Sequence, residues 1–156
     1  MSIVYNSFRG ESTIIIHSPI LNSQKEYIPF PFNFISPEEL KMPDEIKFYL
    51  DNLGLKYYEH IDFTDIISKA DIIYMTRVQK ERFSDPIEYE KVKNIYVLRN
   101  SMLKNTKPNM RILHPLPRVN EIHQDVDHNP KAYYFEQALN GVFTRQAILC
   151  TLLGIN

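Results

Sequence analysis

Two short stretches of this chain hold groups suited to binding a small anion. In Thr76-Arg77-Val78-Gln79-Lys80-Glu81-Arg82, Arg77 offers a planar fork of donors that fits a carboxylate. Gln79 lies two residues on, so an extended chain brings its donor and acceptor to the same side. The plainer alternative is a solvated charged turn in which Arg77 and Glu81 pair across one helical turn. The second stretch is His114-Pro115-Leu116-Pro117-Arg118, where two prolines bracket Leu116. Proline fixes φ and has no N–H, so Ile112-Leu113-His114 reads as a strand running into a rigid, extended turn. Carbonyls in such a turn have no ladder partner and point beyond the strand end, which in an α/β sheet is the ligand crevice.

Other chemistry-bearing residues read more plainly. His114, a single histidine before a proline, is expected to be a hydrogen-bonded core or turn residue rather than a base. His123, Asp125, Asp127 and His128 cluster without helical or strand spacing, so a solvated polar loop is preferred to a metal site. Cys150 falls on an apolar helical face and is expected to be inert packing.

The elements that would position these groups alternate between strand and helix. Residues 1–31 are the least regular, with a short strand expected at Ile14-Ile15-Ile16 and an irregular stretch around it. Phe32 to Ile35 is expected as a strand, followed by a helical turn in which Ser36 caps, Pro37 opens and Glu39 closes the box. Ile46, Tyr49, Leu50 and Leu53 share one helical face that Gly54 ends, and a strand over 55–59 follows. Thr64 to Ile67 then reads as a short helix, and Asp71 to Met75 as a buried strand of the parallel kind. Asp85-Pro86-Ile87-Glu88 opens the next helix, Ile95 to Leu98 is a strand, and 101–105 a helical turn. The C-terminal helix carries Phe135, Ala138, Leu139, Val142, Phe143, Ala147, Cys150 and Leu153 on an apolar face. This order predicts an α/β fold: a doubly wound parallel sheet flanked by helices, as a single Rossmann-like domain. The stretches at 76–82 and 114–118 then leave the same sheet edge.

Composition narrows the function classes. With 156 residues, 44% hydrophobic and 24% charged, the chain suits one globular domain. A formal charge of -1 with scattered Lys and Arg gives no basic stripe, which argues against nucleic acid or an anionic membrane as partner. One cysteine rules out an intramolecular disulfide, no run of about 18 apolar residues occurs, and no charged leader precedes an apolar one. A cytoplasmic location is expected. The four glycines are too far apart for a GxGxxG turn or a P-loop, so no nucleotide cradle is expected.

Three segments together resemble the aspartate/ornithine carbamoyltransferase family: Tyr74 to Arg82, Leu113 to Glu121, and Ala138-Leu139-Asn140-Gly141-Val142-Phe143-Thr144-Arg145-Gln146-Ala147. Their order and spacing match the C-terminal, aspartate-binding domain of aspartate carbamoyltransferase from about Phe32 to the end. Ornithine carbamoyltransferases carry His-Cys-Leu-Pro where this chain has His114-Pro115-Leu116-Pro117, so Pro115 points to aspartate. The resemblance implies carbamoyl transfer from carbamoyl phosphate to L-aspartate in pyrimidine synthesis; no cofactor is expected. It implies that Arg77 and Gln79 grip the aspartate carboxylates and that the Pro115 and Leu116 carbonyls receive the carbamoyl NH2. It further implies roles for Glu81, Glu88 and Arg118 in contacts made when two domains close on the site. The family's phosphate-binding Ser-Thr-Arg-Thr loop has no counterpart here, so a carbamoyl-phosphate domain is expected to be absent and the isolated chain inactive. An arginine expected near Ile3-Val4-Tyr5-Asn6-Ser7 is missing, which marks residues 1–31 as a divergent segment before an aspartate-binding domain over 32–156. Two functions are therefore expected as alternatives: the aspartate-binding half of the enzyme, working with a separate carbamoyl-phosphate-binding domain or chain, or a non-catalytic amino-acid-binding or interaction module. Apolar surface where that domain would dock is expected to promote self-association, as in a homo-oligomer.

Overall fold

The structure, a computed structural model, describes residues 13–16, 31–78, 83 and 85–155. Its strands are β1 (Thr13–Ile16), β2 (Phe32–Ile35), β3 (Tyr57–His60), β4 (Ile72–Tyr74) and β5 (Arg111–Leu113). Its helices are α1 (Asp44–Asn52), α2 (Thr64–Ile67), α3 (Pro86–Val92) and α4 (Tyr134–Leu153). The strands form one sheet in the order β3-β2-β1-β4-β5. The pairs β2–β3 and β4–β5 are parallel, each with the helical crossover that parallel neighbours require, and the α/β class agrees with the sequence. The sheet is nonetheless mixed, because β1 lies in the middle antiparallel to both β2 and β4. Nothing in the Ile14-Ile15-Ile16 run encodes direction, so its apolar pattern announced a strand but not its sense.

The core forms where β-branched and aromatic residues from the sheet meet α2 and the C-terminal third. Ile35, Ile73, Met75, Leu98, Met110, Ile112, Ile122, Val126 and Tyr134 are nearly inaccessible, with Phe63, Ile67 and Ala70 closing one side. Burying each large aliphatic contributes on the order of 1.5–3 kcal/mol. A second cluster, Phe32, Phe34, Met42 and Leu50, seats α1 on β2. Only half the expected apolar face of α1 is used: Leu50 is buried and Ile46 partly so, whereas Tyr49 and Leu53 are exposed. Gly54 ends this helix at φ 66, with its N–H on the Asp51 carbonyl and the Leu55 N–H on that of Leu50.

Three local expectations change. The turn after β2 is a 3-10 helix, Glu38–Leu40, without a side-chain cap: Pro37 holds the capping position, and buried Ser36 still gives its N–H to the His60 carbonyl of the neighbouring strand. The strand expected over 95–98 reduces to one parallel bridge, Leu98 with Ile122, where buried Leu98 both gives its N–H to the Glu121 carbonyl (2.8 Å) and accepts from His123 (2.9 Å). Residues 100–103 then turn as a 3-10 helix, which leaves no length for a ladder. The third concerns α4. From Ala138 to Leu153 every residue but Gly141 is exposed, including Leu139, Val142, Phe143, Ile148, Leu149 and Leu152. Only the first turn, through Tyr134, reaches the core, so the apolar face read from the sequence is real but uncovered, and Cys150 is exposed rather than packed. Among the described residues no helix is long and apolar enough to cross a membrane.

Candidate functional site

Parallel pairing of β4 with β5 sets the site. Tyr74 lies opposite Leu113, and the Met75 N–H reaches the Leu113 carbonyl at 2.9 Å, so both chains leave the sheet side by side. Thr76 and Arg77 continue one chain, and His114, Pro115 and Leu116 the other. Arg77 is half-buried at this edge, next to Thr76 and buried Met75. Gln79 and Glu81, singled out with it, lie outside the described residues, as do residues 3–7.

The 114–121 turn is held from inside. His114 is 1% exposed, and its ring nitrogens are both engaged. The Leu116 N–H donates to Nδ1 at 2.8 Å, and Nε2 lies 2.7 Å from Glu121 Oε1. A backbone N–H can only donate, so Nδ1 must carry a lone pair and Nε2 the proton, which makes His114 a neutral donor to a carboxylate. Glu121 also accepts from the Val119 N–H (3.1 Å) and the Asn120 N–H (3.0 Å). Burial alone would raise its pKa, but His114 and the backbone N–H groups outweigh burial and hold the carboxyl below its ordinary range. The expectation of a hydrogen-bonded rather than catalytic His114 agrees with this geometry.

The expected extended turn contains one departure. Leu116 sits at φ 48, the left-handed region a leucine rarely enters, and the Leu116–Pro117 peptide is cis. Among the described residues no N–H bonds to the Pro115 or Leu116 carbonyl. Pro115 is exposed and Leu116 half-buried.

Two further contacts fix the turn to α4, and neither was visible in the sequence. Gln137 accepts the His114 N–H through Oε1 (2.9 Å), and burial raises the pKa of the Tyr74 phenol against an opposing effect of Gln137. This side chain thus ties the end of β5 to the first turn of α4. Arg118 makes a two-pronged pair with Asp127, one prong at 2.5 Å, and its Nη1 also reaches the Tyr134 hydroxyl at 3.1 Å. Tyr134 in turn donates to Asp127 at 2.5 Å, and the Arg118 guanidinium lies 5.5 Å from its ring centroid. Arg118 holds the Asp127 carboxyl below its usual range, while burial and that carboxylate push the Tyr134 phenol well above its own.

Three of the four side chains of the cluster at 123–128 are engaged in the same way. His123 Nδ1 accepts from the Asp125 N–H (3.2 Å), Asp125 accepts from the Asn100 N–H (3.1 Å), and Asp127 belongs to Arg118. Among the described residues no group of three or more such side chains could hold a metal ion. Glu88 is exposed in the first turn of α3, whose entry Asp85 caps by accepting the Ile87 N–H at 2.8 Å.

Residues 8–152 match the family described as Aspartate/ornithine carbamoyltransferase, Asp/Orn binding domain. An aspartate carbamoyltransferase catalytic subunit of Bacteroides thetaiotaomicron is 62% identical over 141 residues, which are 90% of this chain and 44% of that protein. The corresponding subunit of Parabacteroides distasonis is 66% identical over 126 residues, 80% of this chain and 41% of that one. Among solved structures, the catalytic subunit of M. jannaschii aspartate transcarbamoylase aligns with a TM-score of 0.72 at 41% identity, over 82% of this chain and 41% of its own. Aspartate transcarbamoylase of Trypanosoma cruzi, solved with aspartate and phosphate, aligns at 0.61 and 30% identity, over 75% of this chain and 36% of its own. The chain thus spans less than half the length of the relatives it matches. A match that runs through β4, the 114–121 turn and α4 alike makes this chain a member of the aspartate/ornithine carbamoyltransferase family, within its Asp/Orn-binding domain.

Proposed function

We propose that this chain is the aspartate-binding half of an aspartate carbamoyltransferase, which transfers the carbamoyl group of carbamoyl phosphate to the amine of L-aspartate in pyrimidine synthesis. The observation that carries this reading is the adjacency of the chains leaving β4 and β5, which sets the Arg77 segment beside carbonyls with no N–H bound to them among the described residues. Arg77, with Gln79 two residues on, grips the aspartate carboxylates. The carbonyls of Pro115 and Leu116 accept from the carbamoyl NH2. Neither step asks these residues to exchange a proton: the contribution is to hold an anionic amino acid in line with its electrophile, where orientation supplies much of the rate. Aspartate rather than ornithine follows from Pro115, which stands where the ornithine enzymes carry cysteine.

Carbamoyl phosphate would be held by a separate domain or chain. Glu88, exposed at the start of α3, and Glu81 make the contacts that close that domain on the site. Arg118 takes part through the donors its Asp127 pair leaves over. The uncovered side of α4, with Leu139, Phe143, Leu149 and Leu152 exposed, supplies apolar area for such a partner or for a homo-oligomer. The proposed setting is cytoplasmic.

The test is complementation. Mixing the chain with a carbamoyl-phosphate-binding domain of a related enzyme should yield N-carbamoyl-L-aspartate, the chain alone should not, and Arg77→Ala should abolish the product. Full activity in Arg77→Ala would remove the site assignment.

A further inference from the structure

The carbonyl of Pro115 is aimed by a side chain one residue away, and the aiming depends on which nitrogen of that side chain carries a proton. The Pro115–Leu116 peptide is trans, since the one cis bond among the described residues is Leu116–Pro117. In a trans peptide the C=O and the following N–H point in opposite directions from one rigid plane. The Leu116 N–H is drawn inward to His114 Nδ1 at 2.8 Å, so the Pro115 C=O of the same plane must face away from the buried ring. Rotating that plane would break the bond to Nδ1 and bring a carbonyl oxygen toward its lone pair. Leu116 holds φ 48 in the arrangement, a conformation that persists only where neighbours over-determine it.

The ring is fixed from its far side as well. Nε2 meets Glu121 Oε1 at 2.7 Å, and Glu121 is itself fixed by the N–H groups of Val119 and Asn120. The Leu98 N–H on the Glu121 carbonyl, at 2.8 Å, ties that residue to the core. The chain of contacts therefore runs from Leu98 through Glu121 and His114 to the Leu116 amide, and it ends on a peptide plane at the sheet rim.

We propose that His114 is a positioning residue: held as the Nε2–H tautomer between Glu121 and the Leu116 amide, it sets the direction of the Pro115 carbonyl that receives the carbamoyl NH2. This rests on the reading of the site given under Proposed function. His114 touches no substrate, and its effect passes through one peptide plane. A doubly protonated ring would present N–H to N–H at Leu116, so the neutral form is the one that aims.

Two substitutions separate the functions of the two ring nitrogens. His114→Asn places an acceptor near Nδ1 and gives up the contact to Glu121, whereas His114→Gln keeps a donor near Nε2 and gives up the acceptor for Leu116. In the isolated chain, 15N NMR of the His114 ring should show an unprotonated Nδ1 coupled across the hydrogen bond to the Leu116 nitrogen. Amide exchange at Leu116 should quicken about 10-fold or more in His114→Gln and stay within a few-fold of the parent in His114→Asn, with thermal melts showing both variants folded. In the complemented enzyme, kcat should fall about 10- to 100-fold in His114→Gln with KM for L-aspartate little changed, and His114→Asn should retain most of it. A protonated Nδ1, or a His114→Gln protein with unchanged Leu116 exchange or unchanged kcat, would overturn the proposal. The NMR measurement needs no turnover. A silent complemented parent with the ring and amide signals as stated would therefore count against the proposed function, while the aiming of the peptide plane would stand.

Discussion

Replacing Asp127 by asparagine perturbs the clamp that joins the 114–121 turn to α4. The Arg118–Asp127 pair has side-chain exposures of 16% and 23%, between a surface pair and a buried one. Exposed pairs contribute about 0–1 kcal/mol, and breaking a fully buried one costs about 3–5 kcal/mol. Asparagine keeps the shape and one acceptor but leaves Arg118 without its counter-charge and the Tyr134 hydroxyl with a weaker acceptor, so the loss should be about 2 kcal/mol at pH 7. The sign of its pH dependence follows from the carboxyl, which Arg118 holds below the ordinary value near 3.8. A depressed folded pKa means that the stabilisation is complete above the unfolded value and is lost as pH falls through the folded one. Urea unfolding of parent and Asp127→Asn, from pH 7 down to pH 3, should thus show a gap that is constant to about pH 4.5 and then narrows. Groups that titrate alike in both proteins cancel in the difference. A gap under about 0.5 kcal/mol at pH 7, or one that does not narrow on acidification, would refute the reasoning.

Two smaller perturbations bear on other parts of the structure. Gly54→Ala should lower stability by about 1 kcal/mol, because φ 66 suits glycine although no atom lies within 4 Å of the added methyl; an unchanged thermal midpoint would show that this turn relaxes. Glu121→Gln should cost about 2–3 kcal/mol at neutral pH, since an amide must turn a donor toward His114 or toward the Val119 and Asn120 N–H groups, and its effect should shrink below the ordinary glutamate value near 4.5; urea midpoints against pH measure both.

Much of the fold was legible because it follows from local signals. The Asp85-Pro86 cap, the Gly54 stop and the apolar runs of β2 and β4 each act within a few residues, and each stands where the spacing put it. What failed was decided at longer range. The direction of β1 depends on its neighbours rather than on Ile14-Ile15-Ile16, and the run at 95–98 stays out of the sheet because only Leu98 finds a partner. The same division runs through the site. Proline spacing announced a stiff turn at the end of β5, and alternation put it beside the Arg77 segment. The side chains that hold the turn, Glu121, Asp127, Tyr134 and Gln137, lie 7 to 23 residues from their partners, and no periodicity connects them. Asp127 reads as part of a polar loop because the 123–128 cluster has no helical or strand spacing, and its partner Arg118 lies nine residues away. The exposed side of α4 is the converse case: the sequence announces an apolar face correctly and is silent on what covers it.

Calorimetric titration of L-aspartate into the chain, repeated with Arg77→Ala, tests the site most directly. A saturable heat in the parent that disappears in the variant is the predicted result. No heat at millimolar aspartate, or the same heat in both proteins, would contradict the claim that the ends of β4 and β5 form one wall of an amino-acid site.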